Sequence, residues 1–376
     1  QNNKTRIKLR AWENPQGSQH RSELGKQENG TDKSPEPAIV NIEGWDNNKE
    51  MQDLDTVELA RRGYVVLTMD LHGHGNSESL PQDQLYEGAV GVDGAVQLIA
   101  SLPYVDTERI GVTGYSSGGT AANMALPTDN EREKPLIAAI LHQAADWPDD
   151  TGGDHSGEYG SRSVGIIASE YDDFYFGTYA EDGSMLTTPR EFMQTEGAKR
   201  FLNFNEDVST FEGEAQANTF YERTIDGKDA KRIIYRPTCI HPAVTFSSEC
   251  VGYAVEFFET VFGAPNPLPA TDHVWQWRTA FNALGLVGFF MFLVSFPSCM
   301  LNTQYFGSLK AEEAVTAAPI KGGAGTAWFW GTIVASMLFS GISYLYVMRH
   351  VYSTTTEIFP QTAPLSIGVW SLACGI

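Results

Sequence analysis

Two kinds of hydrophobic pattern divide this chain. From Pro37 to Gly263, short apolar runs alternate with segments whose apolar residues recur at helical spacing. Residues 38–42, 64–69, 109–113, 136–141, 164–168 and 232–235 read as strands; 64–69 is a β-rich run of the buried, parallel-sheet kind. Between them, residues 51–62 form a helix stopped by Gly63. Val92, Ala95, Val96, Ile99 and Leu102 share one helical face, and 120–126 begins another helix. Val251, Ala254, Val255, Phe258 and Phe262 line a closing helix that ends at Gly263. Such alternation predicts an α/β fold with a mostly parallel sheet and helices on both faces. The polar stretches 11–36 and 146–162 read as loops, and 175–228 as a longer excursion with one helix at 189–202.

Beyond residue 278 the alternation stops. Residues 280–301 and 327–347 are long uncharged runs, each long enough to cross a hydrocarbon layer of about 30 Å as a helix of roughly 20 residues. Trp328, Trp330, Tyr344 and Tyr346 stand near the ends of the second run, where aromatic side chains suit a membrane interface. A third run, 363–376, is cut off by the end of the chain. The expected organisation is an α/β domain over 1–263, a linker over 264–278, and a multi-pass membrane region over 279–376. The start without Met and the stop inside an apolar run fit a piece of a longer polytopic protein. Arg278 and Arg349 flank the spans on one side and Lys310 and Lys321 on the other, so charge does not orient them.

Charge sharpens the division. The 376 residues carry a net charge of −21, and from residue 270 onward four basic residues balance four acidic ones. All the excess negative charge therefore belongs to residues 1–269, which excludes the basic footprint of a nucleic-acid binder. Four cysteines exclude a disulfide framework, and Cys239 and Cys250 are expected as free thiols rather than a pair. No zinc-binding or phosphate-cradling motif occurs, so no metal or cofactor is expected. Asn3-Lys4-Thr5 and Asn29-Gly30-Thr31 are glycosylation sequons, meaningful only in a secreted eukaryotic chain.

The candidate chemistry lies in Gly114-Tyr115-Ser116-Ser117-Gly118, a G-x-S-x-G directly between a strand and a helix. A sharp turn there requires small neighbours and lifts the Ser116 hydroxyl above the sheet, at a helix N-terminus that favours a developing oxyanion. A serine needs a base, and the base needs a carboxylate to orient it. The strand at 164–168 runs into Glu170, Asp172 and Asp173, with Asp172 the favoured acid and its two neighbours as alternatives. His241 follows the last strand, and of eight histidines only it lies after the acid at that strand's end.

The chain resembles the α/β-hydrolases of the serine esterase and peptidase kind. Besides the elbow, Asp70-Leu71-His72-Gly73-His74-Gly75-Asn76-Ser77 matches the family's D-x-x-G-x-G-x-S turn, and Glu43-Gly44-Trp45 stands where the family has His-Gly-x. The resemblance covers about residues 37–263. It implies backbone oxyanion donors at Trp45 and Ser117. It departs at Glu43, whose carboxylate must point away from an oxyanion; His72 and His74 are expected to structure their loop. The function so implied is a membrane-anchored serine hydrolase that cleaves carboxylic esters of small molecules through Ser116, His241 and Asp172. A peptidase or amidase of the same fold, or an inactive hydrolase-like domain on a membrane protein, are the alternatives. Partners are an ester or acyl substrate and a lipid bilayer, not nucleic acid.

Overall fold

The computed structural model describes residues 9–12, 34–77, 89–148, 153–180, 182–310, 319–351, 354, 358–359 and 362–375. Both sequons and His20 lie outside them. The described chain divides into two compact units, Gln1–His273 and Val274–Ile376, and each is described by itself.

The first unit is built on a sheet of eight strands in the order β1-β3-β2-β4-β5-β6-β10-β9. They are β1 (Leu9–Trp12), β2 (Glu36–Ile42), β3 (Val65–Met69), β4 (Val105–Tyr115), β5 (Ile137–Gln143), β6 (Ser163–Ile167), β9 (Tyr221–Ile225) and β10 (Lys228–Tyr235). The six inner strands are parallel, and β1 and β9 run antiparallel on the two edges. A small hairpin, β7 (Thr178–Tyr179) with β8 (Met185–Thr187), stands apart from the sheet.

Period-two alternation of the strands feeds two cores. Ala38, Val40 and Ile42 of β2 face Val96 and Ile99 of helix α2 (Val92–Ala100). Ile39 and Val66 point the other way, into the layer that holds Leu59 of α1 (Asp53–Arg61) and Val255 and Phe258 of α6 (Ser248–Phe262). A strand buried on both faces shows no polar alternation, which explains the unbroken apolar runs in the sequence. The remaining helices are α3 (Ser117–Met124), α4 (Leu126–Asn130) and α5 (Glu196–Leu202). The fold is that of an α/β-hydrolase, mostly parallel and covered on both sides.

The chain first steps from β2 to β3 on one side, then crosses back to place β4 on the other side of β2. Connections leaving neighbouring strands in opposite directions open a crevice beyond their carboxyl ends. Residues 43–45 and Ser116 follow those two ends.

Three details differ from the pattern-based expectation. The stretch 11–36 begins inside an edge strand, β1, whose four residues are too few to show a period. The helix expected at 189–202 is two pieces: a 3-10 turn over Pro189–Gln194 and α5, broken at Thr195 in an extended conformation (φ −69°, ψ 153°). The Thr195 side chain caps the second piece by accepting from Ala198 N–H, a local bond that competes with a continuous helix. The same excursion holds β9, whose alternating polar residues come from its edge position. Apart from these, the segment 264–273 is fastened to α1: Asn266 N–H donates to Arg62 O at 2.9 Å, Arg62 to Pro269 O, and Arg61 to the Asp272 carboxylate at 3.1 Å.

The second unit contains α7 (Trp275–Met300, 26 residues), α8 (Gly322–His350, 29 residues) and α9 (Thr362–Gly375, 14 residues). The first two are long and apolar enough to cross a membrane, and their apolar side chains are almost wholly exposed. α9 is the shortest apolar helix of the three. It packs on α8, with Trp370 Nε1–H donating to Ser340 O at 3.0 Å.

Candidate active site

Ser116 sits between β4 and α3 with φ 53° and ψ −121°, a left-handed conformation that side chains rarely adopt. Two glycines make room for it. A Cβ on Gly114 would lie 2.3 Å from Gly118 O, and one on Gly118 would lie 2.4 Å from Glu43 O. The strain is held in place by these close approaches, as is usual where a backbone serves chemistry. They also bring the elbow against the backbone of the loop that follows β2.

His241 Nε2 lies 3.0 Å from Ser116 Oγ, and His241 Nδ1 lies 2.7 Å from Asp172 Oδ2. With a carboxylate as partner, Nδ1 carries the hydrogen and Nε2 is left to accept from the hydroxyl. Asp172 and His241 are buried. The other expected acids stand elsewhere: Asp173 is exposed, and Glu170 accepts from Thr238 Oγ1. Asp172 receives three more bonds, from Ser169 Oγ at 3.2 Å and from the backbone N–H groups of Phe174 and Tyr175 at 2.9 Å each. One carboxylate therefore orients the imidazole and fixes the loop beside it.

Aromatic rings enclose the imidazole. Phe174 is centred 4.8 Å away, Tyr115 5.0 Å, and Tyr175 stacks nearly parallel at 5.7 Å. The Tyr115 hydroxyl donates to His241 O at 3.1 Å, tying the elbow directly to the histidine's loop. These three residues escape a motif search because only the fold brings 115, 174–175 and 241 together.

The expected oxyanion donors come from two segments that follow strand ends. Ser117 is the first residue of α3, Trp45 lies in the turn after β2, and neither backbone N–H donates to a described protein atom. Glu43 points away from them: its Oε1 accepts Leu71 N–H at 2.7 Å and lies 3.2 Å from His74 Nδ1. Burial pushes the Glu43 carboxyl up, against the opposing pull of those partners. His74 thus anchors the 70–77 turn to this loop, while His72 is buried and driven toward its neutral form. Lys49 Nζ pairs with Asp70 Oδ2 at 2.6 Å beneath the same turn.

One further carboxyl belongs to the electrostatics. Burial, reinforced by the charge of Asp172, pushes Asp146 up to about 7. The sequence gives no sign of this, because 146–162 reads as a plain polar loop. Cys239 and Cys250 are free thiols, and among the described residues no group of three metal-ligating side chains gathers.

Residues 30–159 match the model of a peptidase family described as X-Pro dipeptidyl-peptidase (S15 family). Among solved structures, the chain is similar to the Est1E protein of Butyrivibrio proteoclasticus solved with ferulic acid: 12% identity, 68% of this chain and 96% of that one, TM-score 0.41. A predicted CIB-like hydrolase of Thermoplasma acidophilum shares 16% identity over 69% of this chain and 94% of its own, TM-score 0.40. An esterase of Pyrobaculum calidifontis shares 15% over 68% and 80%, TM-score 0.40.

Proposed function

We propose that this chain, a hydrolase of the α/β-hydrolase fold, is a membrane-anchored serine hydrolase that cleaves carboxylic esters. The observation that carries the reading is the relay from Ser116 Oγ through His241 to Asp172, with separations of 3.0 and 2.7 Å. Such spacing lets Nε2 take the hydroxyl proton as Oγ bonds to the substrate carbonyl carbon. The carbonyl electron pair moves onto oxygen, where Trp45 and Ser117 N–H groups receive the negative charge. The C–O bond then breaks as Nε2 returns the proton to the departing alcohol. A water molecule repeats the sequence on the acyl-enzyme, releasing the acid and restoring Ser116.

Helices α7 and α8 anchor this unit to a bilayer as separate spans, within a multi-pass protein. The match to a peptidase family over 30–159 favours a second reading, in which the same relay cleaves an amide or peptide. An active-site fluorophosphonate probe tests the serine chemistry: it should label the wild type and fail on Ser116→Ala. Unlabelled wild type, or equal labelling of the variant, overturns it. Competing rates on matched ester and amide substrates then choose between the two readings.

A further inference from the structure

Phe174 is 72% exposed although its ring lies 4.8 Å from that of His241. A lone exposed phenylalanine needs no explanation, but this one is fixed and has company. Its N–H is held by Asp172, and two residues on, Phe176 takes a left-handed conformation (φ 69°) with its ring buried 4.9 Å from Phe192. The loop is pinned on both sides of the exposed ring, which holds its backbone beside the imidazole. Ile240, beside His241, is also exposed, and so is Trp45, at 66%. Strand order puts Trp45 one strand to one side of Ser116 and Phe174 two strands to the other, at about 4.8 Å per strand. The reacting hydroxyl therefore stands between two exposed apolar side chains in an otherwise strongly acidic unit.

Which part of a substrate meets Phe174 follows from the chemistry. The departing alcohol takes its proton from His241 Nε2, so it leaves beside the imidazole, where Phe174 packs. We infer that Phe174 is a specificity-determining residue that receives the alcohol portion of the ester, and that this portion is an uncharged apolar group, best a ring. The inference rests on the serine-hydrolase reading above and adds the leaving-group class to it. Anionic alcohols are disfavoured by the unit's charge, and small ones leave the ring in water.

Benzyl acetate and ethyl acetate share an acyl group and differ in the alcohol, so their relative kcat/KM, followed by release of acetate, isolates this contact. The full chain is expected to favour benzyl acetate by at least about tenfold, the order of one well-placed aromatic contact. Phe174→Ala should bring the ratio near unity, chiefly through KM, and Phe174→Leu should leave it intermediate. Phe246→Ala, which removes another exposed ring, should leave it unchanged. A wild type indifferent to the two esters overturns the inference, as does an unchanged ratio in Phe174→Ala. If the fluorophosphonate probe labels Ser116 while the ratio is flat, the serine-hydrolase reading stands and only the leaving-group assignment falls. If the probe does not label, both fall together.

Discussion

The two units treat their apolar side chains in opposite ways. In the first, strands and helices turn large hydrophobics inward, and Ile39, Ile42, Leu59, Phe257 and Phe258 are fully buried. In the second, α7 and α8 display most of their Leu, Phe, Val and Trp side chains outward. The first keeps all the net charge and pairs many of the charges it buries, as Glu58 with Arg62 and Asp129 with Arg162. A helix apolar on every side is stable only where its surroundings are apolar as well. The difference teaches that hydrophobic content alone does not decide which way a side chain faces.

The comparison breaks most visibly at the hydroxyl. Replacing Ser116 by Ala should reduce ester turnover by roughly a million-fold while leaving both units folded, if catalysis resides wholly in the first. Hydrolysis and circular dichroism on the purified chain check it; substantial remaining turnover would move the chemistry elsewhere. Asp172→Asn should cost roughly ten-thousand-fold in kcat, because the amide offers the wrong partner to Nδ1–H. Added protease sensitivity near 174–175 would report the loss of the loop bonds.

Gly288 probes the second unit. No atom lies within 4 Å of a Cβ built there, so Gly288→Arg would be harmless, even favourable, on a helix in water. At the middle of a bilayer span it should instead cost about 3 kcal/mol of insertion free energy. Resistance to alkaline carbonate extraction, compared between the two forms, reads the difference; equal retention would remove the membrane assignment of α7.

A smaller effect sharpens the account of the first unit. Burial pushes the Asp55 carboxyl up to about 6, even though Gln143 Nε2–H donates to it at 2.6 Å. A raised carboxyl favours the neutral form in the fold, so its stability penalty grows as pH rises from about 4 to about 6 and is complete above that. Asp55→Asn should therefore stabilise the unit by roughly 2 kcal/mol at pH 8, with the gain vanishing near pH 4. Thermal melts at both values test the sign. Smallest of all, Tyr115→Phe should lose about 1 kcal/mol of transition-state stabilisation, the worth of one hydrogen bond, with the ring still in place.

The sequence carried the inner sheet because its strands are apolar on both faces, and it carried α7 and α8 because the long runs within them have no charge. Edge strands β1 and β9 were illegible: β1 has only four residues, too few to show a period, and β9 lies in a polar excursion and alternates with exposed polar residues. Thr195 broke a helix that propensity alone would continue. At the site, the residue types and chain order pointed to Ser116, Asp172 and His241, since each stands where a strand ends. The rings of Tyr115, Phe174 and Tyr175 were hidden, as was the environment of Asp146. Their roles arise from distances between segments far apart in the chain.

The four bonds gathered by Asp172 carry a practical consequence. Because the same group steadies both the imidazole of the proposed relay and the exposed stretch beside it, a compound need not approach the serine to stop the proposed turnover. Prising the 174–175 stretch away from the acid would disarm the proposed relay from the outside, which makes that short stretch a foothold for selective inhibition.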